Sequence, residues 1–266
     1  MTQAASRDPS DLDIAHMLAD AARVAILPYF RHPELAADNK QAGGFDPVTV
    51  ADRAAEQAMR AILAQHRPAD GILGEEFGTD PGTSGRTWVL DPIDGTRGFL
   101  SGTPTWGVLI ALSAGAGPIL GIIDQPYTGE RFVGTGAGAE LTGPMGHRRL
   151  STRTTARLPE AILFTTFPEV GSPEERAGFE AVSRQVKLTR YGMDCYAYAL
   201  LAAGHIDLVI EAGLNPYDVQ APIAVIEAAG GVVTDWQGGR ADHGGRLLAA
   251  ANPVLHAAAL EILRLV

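Results

Sequence analysis

The sequence predicts a layered α/β protein, and three patterns predict it. Two segments near the N-terminus carry helical periodicity. From Trp106 onward, short apolar strands are separated by Gly/Pro turns. Beyond residue 160, apolar strands alternate with helical segments, as in an α/β unit with helices layered on a sheet.

Taken in order, Ser10 to Phe30 places Leu12, Ala15, Leu18, Ala19, Ala22 and Ile26 at i, i+3, i+4 spacing, the mark of an amphipathic helix. Ser10 with Asp13 forms its N-terminal cap. Residues 38–47 read as a Gly/Pro-rich polar loop. A second helix runs from Val50 to His66, with Asp52 in its first turn. Two short strands follow, Gly71–Glu75 and Thr87–Asp91, joined by the loop 78–86. Strands 106–113, 117–124 and 130–135 form an antiparallel meander. Residues 142–158 are polar and basic and are expected to cross to a second half. There, strands 161–167, 206–211, 231–236 and 247–251 alternate with helices 173–185, 195–204, 218–229 and 253–265. The division is 1–150, an α+β half, and 151–266, an α/β half, within one compact unit.

Composition narrows the function classes. The chain has 266 residues, 46% apolar and 20% charged, with a formal charge of −10. No basic run accompanies that charge, so a nucleic-acid backbone is not an expected partner. Cys195 is the only cysteine, which excludes an internal disulfide and points to a reducing compartment. Met1 to Leu12 lacks the basic-then-apolar layout of a signal peptide. No apolar stretch reaches the roughly 18–20 residues of a membrane helix. A cytoplasmic protein with no membrane partner is expected.

The chemistry concentrates in Asp91-Pro92-Ile93-Asp94-Gly95-Thr96, which follows the apolar run Trp88-Val89-Leu90. Pro92 disfavours helical geometry at Asp91, so the strand stays extended to that residue. A turn after it brings Asp94 back beside Asp91. Two carboxylates so close repel unless a cation lies between them, and Mg2+ with its demand for oxygen ligands is the natural one. The Ile93 carbonyl is a further candidate ligand. Gly95 allows close backbone approach, and Gly95–Thr96 can open a short helix whose N–H groups face an anion. The plain alternative is a turn in which both aspartates cap local N–H groups. Glu75 and Glu76 end the preceding strand, where a solvent-facing pair is the ordinary reading. Asp218, in Asn215-Pro216-Tyr217-Asp218, and Asp52 each stand at a helix start, where an N-cap role is ordinary.

The set Gly74-Glu75-Glu76, Asp91 to Thr96, and Pro216-Tyr217-Asp218 ahead of Ala228-Ala229-Gly230-Gly231 resembles the inositol monophosphatase superfamily over nearly the whole chain. The resemblance implies an αβαβα sandwich shared with fructose-1,6-bisphosphatases. It implies lithium-sensitive, Mg2+-dependent hydrolysis of phosphomonoesters with two or three ions, and a homodimer. Carried over by position, Glu75, Asp91, Asp94, Asp218 and the Ile93 carbonyl are metal ligands, and Asp52 stands near a weaker metal site. Thr96 and Glu75 orient the attacking water, and Gly95 and Thr96 face the phosphate.

Three segments, Gly95–Gly107, Arg190–Leu200 and Gly204–Leu214, are similar to the histidinol-phosphate phosphatase subgroup. One departure is Met193, where a second glycine is expected. Histidinol phosphate carries an ammonium and an imidazole. Asp194 and Glu211 are candidates to receive these cations, with Tyr191 or Tyr196 as an aromatic face. Arg190 is a further substrate candidate, with a surface ion pair as its alternative. Tyr191, Tyr196 and Tyr198 otherwise read as core. Carboxylates also accept hydrogen bonds from sugar or inositol hydroxyls, so inositol phosphates and 3′-phosphonucleotides are the rival esters. A non-catalytic metal- or phosphate-binding regulator is the reading from another class; the intact set Glu75, Asp91, Asp94, Thr96 and Asp218 speaks against it.

Two other signals carry less. Gly134-Thr135-Gly136-Ala137-Gly138-Ala139 matches a nucleotide fingerprint but is followed by turns rather than a helix, so a strand-end turn is expected. Cys195 sits at a helix start, where its pKa is open to lowering, but no phosphate loop with arginine follows it. His16, His66 and His256 fall in helical patterns as solvated or packed residues.

Overall fold

The computed structural model describes residues 9–33, 35, 37–39 and 47–265. Residues 40–46, the centre of the Gly/Pro-rich loop, lie outside the described residues, as do 1–8. Helix α1 spans Asp11–Ile26, and Ser10 and Asp13 form a reciprocal capping box that satisfies its first N–H groups. Its inward stripe is Ile14, Ala15, Leu18, Ala19, Ala22 and Ile26. Leu12, expected inside, is 36% exposed, and Ile14 takes the first inward position. Strands β1 (Ala37–Asn39) and β2 (Pro47–Thr49) pair as a small antiparallel ribbon that leads into α2 (Val50–His66). Thr49 caps α2 in a second capping box with Asp52. The buried face of α2 holds Asp52 and Glu56 beside Ala51, Ala55, Met59 and Leu63.

Next come β3 (Gly71–Gly74), β4 (Gly78–Asp80), β5 (Arg86–Asp94), the short helix α3 (Thr96–Ser101), β6 (Gly107–Ala114), β7 (Pro118–Gln125) and β8 (Glu130–Thr135). The meander does not stop there. Strands β9 (Gly138–Gly143) and β10 (Gly146–Arg149) extend it through residues that the sequence assigns to a crossing segment. Among the described residues these strands make an eight-stranded sheet in the order β10-β9-β8-β7-β6-β5-β3-β4. It is antiparallel except for β3 against β5. The glycine-rich stretch at 134–139 is the β8–β9 hairpin turn.

The chain then enters β11 (Ile162–Thr165), α4 (Pro173–Ser183), β12 (Leu188–Tyr191), α5 (Asp194–Ala202), β13 (Leu208–Leu214), α6 (Pro216–Ala228), β14 (Val232–Thr234), β15 (Gly245–Ala250) and α7 (Pro253–Leu263). The second sheet runs β12-β11-β13-β15-β14, with β11 parallel to both neighbours. Its edge strand β12 is a short exposed segment that apolar patterning does not reveal.

Strand alternation sorts the side chains into layers. Trp88, Leu90, Val108, Ile110 and Ile122 face α1 and α2 in one cluster. Their neighbours Val89, Leu109, Ala111 and Ile123 face α5 and α6 in another. Val209, Leu247 and Ala249 of the second sheet close that cluster from the far side. Leu163, Leu208, Ile210, Leu248 and Ala250 face the opposite way, onto α4 and α7. The result is an αβαβα sandwich, α1/α2, sheet, α5/α6, sheet, α4/α7. The helices of the middle layer are covered on both sides, which is why α6 is nearly all apolar beyond its first turn. On the outer layer, buried Asp124 accepts from Arg23 at 2.7 Å and from Arg131 at 2.6 Å, tying α1 to the sheet.

Helix α6 lies unusually close to the first sheet. A Cβ on Gly121 would stand 2.5 Å from the Ala221 carbonyl oxygen, and one on Gly134 would stand 2.4 Å from that of Ala224. Gly134→Ala is therefore expected to cost about 1–3 kcal/mol by overpacking. Gly136→Ala, where a Cβ meets nothing within 4 Å, should stay within about 0.5 kcal/mol of the parent. Urea unfolding of the two variants checks this, and equal costs would count against the close seat of α6.

Candidate active site

The first sheet delivers its acidic residues through an irregularity in β5. Regular alternation would point Asp91 and Asp94 to opposite faces, since they are three residues apart. The β5–β6 register shifts between them, and this bulge, rather than a turn after Asp91, returns Asp94 to the side of Asp91. Pro92 sits inside the irregular stretch, where no ladder donor is required. The Asp91 carboxylate accepts the Ile93 N–H at 3.0 Å, which holds the bulge. Gly95 then adopts φ 84° and starts α3. Its missing side chain is needed twice, because a Cβ would also lie 2.8 Å from the Cβ of Asp194.

The second half supplies helix starts. Asp218, in the first turn of α6, accepts the Asn215 N–H at 2.6 Å, so it caps the helix and also lines the cavity. The Cys195 N–H in the first turn of α5 donates to Asp94 at 2.6 Å. Asp91, Asp94 and Asp218 each place an oxygen within 4.8 Å of the others. Glu75, just past β3, lines the same cavity, and its side chain shares a hydrogen bond with Asp91. Burial and mutual repulsion push Asp91 and Asp94 well above the usual carboxylate range. Burial, with Glu75 and Glu211 adding to it, lifts Asp218 to about 7. Such crowding of oxygen donors suits a hard divalent cation, which favours their ionised forms. Thr96 donates its hydroxyl to the Ile93 carbonyl at 3.1 Å. Asp52 is buried; one oxygen accepts the backbone N–H and hydroxyl of Thr49, and the other has no hydrogen-bond partner among the described residues. Burial raises Asp52 to about 6.

From this corner a cavity of about 290 Å³ extends between the sheets. Asp194 and Glu211 stand on its wall. Glu211 accepts from Thr166 through both backbone N–H (2.9 Å) and hydroxyl (2.6 Å), and from the Tyr198 hydroxyl at 2.8 Å. Burial still raises its pKa. Asp194 is raised to about 6 by burial, with Glu211 adding to it, and accepts from Thr105 at 3.3 Å. Its φ of 45° is a left-handed conformation that aspartate tolerates better than most side chains. Met193 has φ −108°, so it needs no glycine; the positive φ values fall on its neighbours Gly192 and Asp194. Among the described residues, the wall carries seven carboxylates and one guanidinium, that of Arg97, which stacks 4.9 Å from the ring of Phe167.

Other expectations fall elsewhere. Arg190 is exposed on edge strand β12 and does not line the cavity. Tyr191 packs its ring near Phe179, and Tyr196 donates to Glu130 at 2.5 Å; neither lines the cavity. The cavity tyrosines are Tyr198 and Tyr217. Burial and neighbouring Asp94 raise the Cys195 thiol well above its usual value, the reverse of the lowering that its helix start allows. Two contributions have no sequence signal of their own, the Cys195 N–H and the Thr166 clamp on Glu211, because both join residues brought together from distant segments.

A profile of the inositol monophosphatase family matches residues 9–265. The chain belongs to the inositol monophosphatase family. Within it, the chain is 46% identical over 230 residues to the chloroplastic bifunctional phosphatase IMPL2 of Arabidopsis thaliana, covering 85% of this chain and 64% of that protein. It is 36% identical over 258 residues to a histidinol-phosphatase of Streptomyces coelicolor, covering 92% and 94% of the two chains. An inositol monophosphatase from Zymomonas mobilis superposes with a TM-score of 0.85 at 43% identity, covering 96% and 97%. As an inositol monophosphatase family member the chain is a metal-dependent phosphatase acting on phosphate esters. No helix of the described residues is long and apolar enough to cross a membrane.

The raised acids fix a sign. Asp218 titrates near 7 in the folded protein and near 4 in an unfolded chain. Without metal the folded state therefore holds a proton that the unfolded chain has released, and stability falls as pH rises through that window. Divalent ions bind the ionised carboxylates. Added Mg2+ should raise Tm more at about pH 8 than at about pH 5.5. Half-buried His16 and buried His256, lowered by desolvation, titrate alike with and without Mg2+ and cancel in this difference. An equal gain at both pH values would count against the acidic cluster as the binding point.

Proposed function

We propose that this protein is a Mg2+-dependent phosphomonoesterase whose preferred substrate is histidinol phosphate, hydrolysed to histidinol and phosphate in histidine biosynthesis. The observation that carries this is a cavity whose acidic lining extends past the proposed metal ligands. Asp91, Asp94, Asp218 and Glu75 gather in one corner, and Asp194 with Glu211 line the same cavity beside them. A phosphate can enter so acidic a cavity only with cations, and the wall beyond suits a cationic remainder such as an ammonium and an imidazole. The kinship with a histidinol-phosphatase at 36% identity supports the same substrate.

Glu75, Asp91, Asp94, Asp218 and the Ile93 carbonyl would hold two ions, and Asp52 stands by for a weaker third. Bound there, Mg2+ neutralises phosphate charge and lowers the pKa of a coordinated water. The protein's own part is positioning. Thr96 donates its proton to the Ile93 carbonyl, so its oxygen remains an acceptor for one hydrogen bond of the attacking water, and Glu75 accepts the other. The Gly95 and Thr96 backbone receives the phosphate. Asp194 and Glu211, held by Thr105, Thr166 and Tyr198, bind the leaving alcohol through its cationic groups. The buried thiol of Cys195 takes no covalent part. Residues 1–150 thus bring most metal ligands and 151–266 the substrate wall and the last ligand. Lithium inhibition, a cytoplasmic location and a homodimer complete the proposal.

Inositol phosphates are the rival ester, favoured by the 43% identity to the Zymomonas mobilis enzyme. Side-by-side turnover of histidinol phosphate, inositol 1-phosphate and a 3′-phosphonucleotide with Mg2+ decides; histidinol phosphate should be clearly the best, and parity with either rival sinks the substrate assignment. Asp94→Asn should lose turnover while its circular dichroism spectrum stays that of the parent. A fully active variant would remove Asp94 from the metal site and reopen the non-catalytic binding role.

A further inference from the structure

Glu56 is a fully buried carboxylate, 0% exposed, on the inner face of α2. None of the chemistry above uses it. Its Oε2 accepts the backbone N–H of Glu76 at 2.7 Å. Its Oε1 accepts the Phe77 N–H at 3.2 Å and Nε of Arg60 at 2.8 Å. Arg60 continues the grip, donating to the Gly78 carbonyl at 2.6 Å and to Asp80 at 2.7 Å. Gly74 is glycine for this reason: a Cβ there would stand 2.0 Å from Oε1 of Glu56.

These contacts surround one residue. The Glu75 N–H is fixed on the Leu90 carbonyl of β5 at 3.2 Å. The two peptide N–H groups that follow it are fixed on Glu56. Glu75 is thus the single residue between a sheet anchor and a helix anchor, and its backbone angles have no freedom to turn the carboxylate away from the cavity. If only packing were needed, an apolar side chain with alanine at position 74 would fill the same space without burying a charge.

We propose that Glu56, backed by Arg60, is a positioning residue that aims Glu75 at the metal and the attacking water. The inference rests on the metal role given to Glu75 above. Outer hydrogen bonds of this kind are typically worth about 10- to 100-fold in metal affinity or activity.

Glu56→Gln keeps the volume and one acceptor oxygen but, whichever way its amide lies, presents an NH2 to at least one donor. Expected are a loss of kcat of about 10- to 100-fold and a matching rise in the Mg2+ concentration for half-maximal activity. KM for the ester that the side-by-side assay selects should change little. Titration calorimetry with Mg2+ and no substrate should show the weakened affinity directly. Glu56→Asp should recover part of both, and Arg60→Lys, which keeps the charge but not the fork, should show the same split in milder form should Glu56→Gln fold poorly. Lowered Tm with unchanged Mg2+ affinity in the folded variants would overturn the proposal and leave Glu56 a structural residue. Asp94→Asn is the reference. Lost Mg2+ affinity there with parental affinity in Glu56→Gln overturns the positioning role alone; parental affinity in both overturns the metal site beneath it.

Discussion

Asp91, Asp94 and Asp218 hold three carboxylate oxygens within 4.8 Å of one another in a largely buried corner, where like charges repel most strongly. Much of the surrounding structure opposes that repulsion. The β5 bulge makes Asp91 and Asp94 face the same way. Helix N–H groups from Cys195 and Asn215 each hold a carboxylate, and their helices bring the positive ends of their dipoles with them. A cation completes the balance in a family whose members depend on metal. The seam between two sheets is a natural place for such a corner, because strand ends and helix starts, the parts of a fold with unpaired polar groups, meet there.

The cavity wall formed by Asp194 and Glu211 follows a different logic. Glu211 is fixed by three donors before any ligand arrives, so its geometry is preorganised and little ordering cost remains at binding. Asp194 is held differently, by a left-handed backbone pressed against Gly95. The acidic corner and this wall therefore meet where Gly95 faces Asp194 and where the Cys195 N–H reaches Asp94, and a side chain at residue 95 would disturb both.

The sequence makes the metal end legible because it is local. Asp91 to Thr96 is one contiguous hexapeptide, and its proline, glycine and hydroxyl have meaning together. The layered fold is equally legible, since the helical periodicity of Ser10 to Phe30 and the apolar runs separated by Gly/Pro turns announce each element. What stayed hidden had no period to show. Strands β9 and β10 are largely polar at the sheet edge, and only Ala139 and Leu141 turn inward, so they read as a connection. Strand β12 is short and exposed, and Arg190 on it points to no cavity that spacing could foretell. Whether Tyr196 or Tyr198 faces the cavity depends on the rotation of α5, and an almost wholly apolar helix gives no clue to its own rotation. Asp218 shows that a cap and a cavity residue need not be rival readings, since it serves in a capping box and lines the cavity; Asp52 serves in a capping box and does not line the cavity.

Helix α6 rests on two glycines of the meander and is roofed by the second sheet. Its first turn carries Asp218, far along the chain from Asp91. The early strands must be paired before α6 has a seat, and the late strands must cover it before it stays there. Such distant closures are the slow part of folding. The acidic corner is thus complete only when both sheets are, because its carboxylates come from residues as far apart as Asp91 and Asp218. An ion bound by all three would hold the first sheet to α6 and so favour the assembled chain over the unfolded one.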